Sequence, residues 1–134
     1  MWRTLLLLAL LASLGFAPAP FLEKKRKRSP IDELQGSWFG KSGSEARIVG
    51  DNLTYYQNGA ATGPSYALTL NPTASPREYD ARGVGKWSSL KFDGIYKIEG
   101  DTLTMCSVPT GGIRPKTFVA VGSAGLYIMK RRKP

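Results

Sequence analysis

Few residues of this 134-residue chain are of a type that could do chemistry: one cysteine, scattered aspartates, a Gly-Gly-Ile-Arg stretch, two basic runs and a set of aromatics. Cys106 is the only thiol, so it forms no intrachain disulfide and supplies no cysteine-based metal site. A reactive thiol needs a basic neighbour or a helix N-terminus to lower its pKa. Cys106 lies in an alternating stretch with neither, and burial as a small apolar side chain explains it better. Histidine is absent, which removes the commonest general base and the commonest metal ligand and argues against triad and zinc hydrolases. Asp80, Asp93 and Asp101 match no calcium loop, and two of them adjoin glycines, so turn chemistry is expected for them. No helical pattern follows Gly111-Gly112-Ile113-Arg114, which disfavours a phosphate cradle. Arg114, directly before Pro115, is expected to fix its loop by bonding backbone carbonyls or a carboxylate. No catalytic residue, cofactor or metal site emerges, and a non-enzymatic domain is the expectation.

The formal charge of +9 invites a nucleic-acid partner, but its distribution disfavours one. Between residues 34 and 129 nine basic side chains face seven acidic ones. The excess lies in two flanks, Lys24-Lys25-Arg26-Lys27-Arg28 and Lys130-Arg131-Arg132-Lys133. Such runs act as solvated spacers or contact an anionic membrane surface.

The elements that must position these residues are strands. From Gly36 onward, short segments rich in Tyr, Thr, Val, Ile and Leu alternate with Gly, Asn, Asp and Pro, and no helical period appears. Strands are expected over 37–40, 46–49, 53–57, 66–70, 78–82, 92–99, 102–108, 117–121 and 126–131. Gly50-Asp51-Asn52 and Glu99-Gly100-Asp101 read as tight hairpin turns, and Gly122-Ser123-Ala124-Gly125 as the link between the last two strands. One short helical turn is expected just before them, where Ser29 can cap, Pro30 fits the first helical position and Asp32 and Glu33 suit the dipole. The fold class is therefore all-β: a single antiparallel meander of about eight or nine short strands, closed as a small barrel because an open sheet would expose its edges. Phe92, Tyr96 and Ile98 share its inner face, with Asp93, Lys97 and Glu99 turned to water. Trp38, Tyr55, Tyr66, Tyr96 and Phe118 are the candidates to line a cavity for a small apolar ligand, or to fill it.

Ahead of this domain, Met1-Trp2-Arg3 is followed by an apolar run over 4–17. Its length suits a signal peptide better than a membrane span, although prolines around the cleavage site and the basic run behind it leave an uncleaved anchor open. The chain divides into a signal peptide or anchor (1–22), a basic linker (23–28) and the barrel (29–134). Export to the periplasm, cell envelope or exterior follows as the expectation.

Gly36-Ser37-Trp38 at the opening of the first strand resembles the Gly-x-Trp signature of lipocalins and related calycin barrels. The basic end of the last strand resembles the residue that packs across that Trp, with Arg131 the candidate and Lys130 the alternative. Three blocks, Glu33-Leu34-Gln35-Gly36-Ser37-Trp38, Asp93-Gly94-Ile95-Tyr96-Lys97-Ile98-Glu99-Gly100-Asp101-Thr102-Leu103 with Cys106, and Gly112-Ile113-Arg114-Pro115-Lys116-Thr117-Phe118 with the final Lys130-Arg131, resemble a family of small lipocalin-like domains found mainly in planctomycete bacteria. The resemblance implies barrel closure through Gly36, Trp38 and Arg131, and no catalytic residues. It leads to the expectation of a lipocalin-like binding module of the cell envelope that holds a small apolar ligand or an envelope protein. The alternative is a filled structural barrel whose basic flanks, Lys24, Lys25, Arg26, Lys27 and Arg28 above all, contact anionic lipid or polymer.

Overall fold

The structure is a computed structural model and describes residues 29–132. The apolar segment over 1–22, the basic linker with Lys24 to Arg28, and Lys133 lie outside the described residues. Among the described residues no helix is long and apolar enough to cross a membrane.

Period-two alternation and glycine turns build eight strands: β1 (Gly36–Phe39), β2 (Ser44–Val49), β3 (Asn52–Gln57), β4 (Ala60–Asn71), β5 (Arg77–Gly83), β6 (Lys91–Glu99), β7 (Thr102–Pro109) and β8 (Gly125–Arg131). Each pairs antiparallel with the next, and β8 returns to β1, so the sheet closes into a barrel. Among the described residues the helical content is two short 3-10 turns, Pro30–Leu34 and Gly85–Trp87. Hairpins β2–β3 and β6–β7 turn on Gly50 and Gly100, at φ +61° and +59°, a left-handed conformation that glycine adopts without a Cβ penalty.

The expected strand over 117–121 is absent. β7 pairs directly with β8 over Cys106↔Leu126 and Met105↔Tyr127, which leaves residues 110–124 as a strap carried outside the barrel. The β-rich composition of 117–121 has no strand edge to join, because β8 already occupies that side of β7. β4 is longer than expected, and its ladder with β3 shifts between Thr54 and Tyr56, so that β4 runs four residues while β3 runs two. Gly63 and Pro64 sit in this bulge, where proline's missing N–H interrupts no regular ladder.

The core fills the closed end of the barrel with Leu34, Trp38, Ile48, Leu53, Leu68, Tyr96, Leu103 and Met129. Trp38 is fully buried and donates its indole N–H to the Leu34 carbonyl at 2.8 Å. Across the seam, Arg131 pairs in register with Trp38, lays its guanidinium 4.3 Å from the ring centroid and donates to the Glu33 carbonyl at 2.6 Å. Gly36, at φ +109°, turns the chain from the 3-10 segment into β1 in a conformation that strains any L side chain. Gln35 ties the same segment to the β2–β3 turn, donating to the Gly50 carbonyl and accepting from the Gly50 N–H at 2.7 and 2.8 Å.

Trp38→Ala removes a buried ring and two interactions that close the seam, and is expected to cost about 3–5 kcal/mol in urea unfolding. A loss below about 1 kcal/mol would contradict its place in the core.

Candidate functional site

Each interior strand position has a fixed height in the barrel, and the aromatics divide accordingly. Trp38 and Tyr96 belong to the closed half, and the Tyr96 hydroxyl is buried with no hydrogen-bond partner among the described residues. Tyr55 and Tyr66 belong to the open half with Tyr79, Phe92 and Tyr127. There the rings interlock edge to face, Tyr55 on Tyr66 at 6.2 Å and Tyr66 on Phe92 at 5.8 Å, while Tyr79 meets Tyr96 of the closed half at 6.3 Å. They leave an axial cavity of about 70 Å³, floored by Leu53 and Ala81 and reached by Ser107. That is room for roughly one or two waters, far below the size of a small-molecule site.

Gly94 makes this filling possible. It lies opposite Tyr79, and a Cβ there would stand 2.5 Å from the Tyr79 ring and 2.7 Å from the Cys106 carbonyl. The ring takes the space that a side chain on β6 would occupy, a cross-strand cover of glycine by an aromatic. Alternation could have disclosed Tyr79 as an inward residue, since Tyr79, Ala81 and Gly83 alternate with Glu78, Asp80 and Arg82.

Phe118 is on the other side of the wall. Its ring lies beneath the Lys97 ammonium at 4.8 Å, on the outer face of β6, because the strap that carries it never enters the sheet. The strap covers a second apolar patch made of Ile95, Cys106 and Val108, all buried although they point away from the barrel axis. Cys106 donates its S–H toward the Val119 carbonyl at 3.6 Å, and burial pushes the Cys106 thiol up. It is packed as a small apolar residue.

Arg114 pins the strap. One guanidinium nitrogen donates to the Tyr79 and Gly94 carbonyls at 2.9 and 2.8 Å, and another reaches Asp80 at 2.6 Å and Asp93 at 3.9 Å, with Glu78 3.5 Å from Nε. Asp80 and Asp93 are therefore not turn residues. They stand directly opposite each other on β5 and β6, where like charges repel, and Arg114 between them offsets the repulsion.

A larger opening lies at the seam. β1 meets β8 only at Trp38↔Arg131 and Phe39↔Lys130, after which the Gly40 N–H turns to the Ser44 carbonyl and the ladder ends. The rest of β8 runs on beside a cleft of about 470 Å³, lined by Gly40, Lys41, Ser44, Glu45, Ala46 and Tyr55 on one side and by 126–129 on the other. Its size suits a small ligand and its walls are largely apolar. Glu45, at the outer edge, is held below the usual carboxylate range by the Ser37 hydroxyl and by Arg47, whose guanidinium lies 3.0 Å away, against the opposing effect of burial. Nothing in the sequence marks this cleft, because it arises from the unequal lengths of β1 and β8. Of the residues that lead there, Tyr55 alone was a candidate.

No family model, curated protein or solved structure matches the chain.

Two tests follow from this geometry. Arg114→Ala releases the strap, so the Cys106 thiol should react with a disulfide reagent at least about tenfold faster, alongside a stability loss of roughly 1–3 kcal/mol; an unchanged thiol rate would mean that other contacts hold the strap. The second is pH dependence. Burial raises the Tyr79 phenol to about 12, helped by Tyr127 and opposed by Ser107, and raises Tyr55 as well. The unfolded chain therefore loses these protons first. Their contribution is intact below about pH 10 and falls as pH rises toward 12. Urea midpoints should decline over that window, in step with delayed tyrosinate absorbance.

Proposed function

We propose that the chain is a non-enzymatic, lipocalin-like binding module of the cell envelope, which holds a small apolar ligand or a segment of a protein partner in the seam cleft. The observation that carries this reading is the seam cleft itself, about 470 Å³ with largely apolar walls, beside a barrel axis left with only about 70 Å³. The cleft walls combine aliphatic, aromatic and thioether surface with few polar groups, the composition expected of a pocket that binds by desolvation. Tyr127, 47 % exposed at the rim, offers apolar area that a ligand would cover. The reactive side chains are engaged elsewhere, Cys106 under the strap and Arg114 among its carboxylates, which favours binding over catalysis. The apolar segment and basic run at the N-terminus support the envelope as the place of action.

A second reading draws on the filled axis: a structural barrel whose basic flanks touch anionic lipid or polymer. Part of the C-terminal flank is already committed, since Arg131 covers Trp38 and Arg132 lies 4.3 Å from the Phe39 ring. Its mark would be vesicle binding that falls steeply with salt and vanishes without Lys24 to Arg28.

Native mass spectrometry of the full chain from its own cells tests the first reading. A reproducible adduct, released on unfolding, is expected. Tyr127→Arg should weaken binding of an apolar naphthalene dye about tenfold without shifting the unfolding midpoint. Bare protein that also leaves the dye unbound would overturn the cleft as a binding site.

A further inference from the structure

The seam cleft has one wall that a small apolar ligand would not fully use: the edge of a β-strand. The Arg131 N–H donates to the Asp101 carbonyl across the β6–β7 turn, so the main chain of Arg131 faces β7. Strand alternation then turns Met129 and Tyr127 toward β7 and turns Lys130, Ile128 and Leu126 the other way. Lys130 finds Phe39 there. The Gly40 N–H turns to the Ser44 carbonyl of its own hairpin, so β1 stops at that point. The N–H and C=O groups of Leu126 and Ile128 face the cleft beyond the last β1–β8 pair, with no strand paired to that side among the described residues.

We infer that this edge receives an extended peptide strand from another protein, which adds antiparallel or parallel to β8 beyond the end of β1. Two N–H and two C=O groups in strand geometry are complementary to an extended main chain. Both faces of such a strand meet apolar surface. Side chains pointing inward meet Ala46, Tyr55 and Met129, and those pointing outward lie along Leu126 and Ile128, the latter 57 % exposed. Charge adds a requirement. Lys41 stands on the cleft wall, exposed and without an ion pair among the described residues, while Glu45 is already bonded by Arg47. The occupant is therefore a strand of alternating apolar residues with an acidic residue or carboxy terminus beside Lys41. This inference rests on the cleft being the binding site proposed above.

The test uses the full chain and a fluorescent peptide of alternating valine and threonine ending in glutamate, followed by polarisation. Two further peptides carry N-methyl groups on alternate amides, one set in each parity, since only one parity faces β8. One parity should weaken binding at least about tenfold, about 1.4 kcal/mol, and the other by less than about twofold. Ile128→Pro removes an edge donor that bonds nothing inside the barrel, and a folded variant should lose the peptide yet keep the naphthalene dye. If that variant does not fold, Lys41→Glu takes its place and should exchange preference for the glutamate-ended peptide for one ending in lysine. Absence of peptide binding, equal effects of both parities, or no response to the folded edge variant or to the charge reversal would overturn the inference. Dye binding that survives such a failure leaves the cleft as a small-ligand site; loss of both removes the two proposals together.

Discussion

The barrel closes through two residue pairs, and the rest of the structure depends on them. β1 is four residues long and meets β8 only at Trp38↔Arg131 and Phe39↔Lys130. So short a ladder is weak alone, and the side chains around it supply what the backbone lacks. Trp38 is clamped between its own hydrogen bond to Leu34 and the Arg131 guanidinium, which is itself bonded to Glu33. A planar guanidinium suits this place because it stacks on an aromatic face while its fork of donors still reaches a carbonyl. The 3-10 turn, the first strand and the last strand are thereby joined at one point.

The economy of the seam divides the molecule into two halves of different character. Below it, large apolar side chains pack tightly around Trp38. Above it, β1 has ended and the wall is incomplete, so tyrosines whose hydroxyls tolerate water occupy the axis instead. Gly94 and the bulge at Gly63 each give ground to an aromatic neighbour, Tyr79 in one case and Tyr55, 3.0 Å from a Gly63 Cβ, in the other. The axial space is thus consumed by the protein itself, and the seam cleft stands apart from it at the side.

Much of the fold was legible because it is written in local chemistry. Glycines at 50 and 100 mark hairpins, and alternation in 92–99 and 102–108 assigns Tyr96, Ile98, Leu103 and Met105 to the interior without reference to any distant residue. Where the reading failed, the deciding fact was long-range. The stretch over 117–121 has strand-like residues, yet a strand needs a vacant neighbour, and vacancy is a property of the assembled sheet. Burial of Cys106 was expected, but what covers it was not legible: the strap buries Cys106 and Val108 from outside the barrel, so both faces of one strand are dry. Phe118 went astray for the same reason. Asp80 and Asp93 were read as turn residues, Asp93 from its adjoining glycine, whereas their partner, Arg114, is remote in sequence and becomes a neighbour only through folding. The cleft had no sequence mark because it is a difference between two strand lengths.

The described chain enters and leaves the barrel on the same side. Ser29 lies against the closed end beside Asp32, and Arg131 reaches Glu33 there, while the cleft opens past Gly40 at the opposite rim. The molecule accordingly has a stem and a mouth. Both ends of the described chain lie at the stem, and the free edge of β8 faces away from them, toward the mouth.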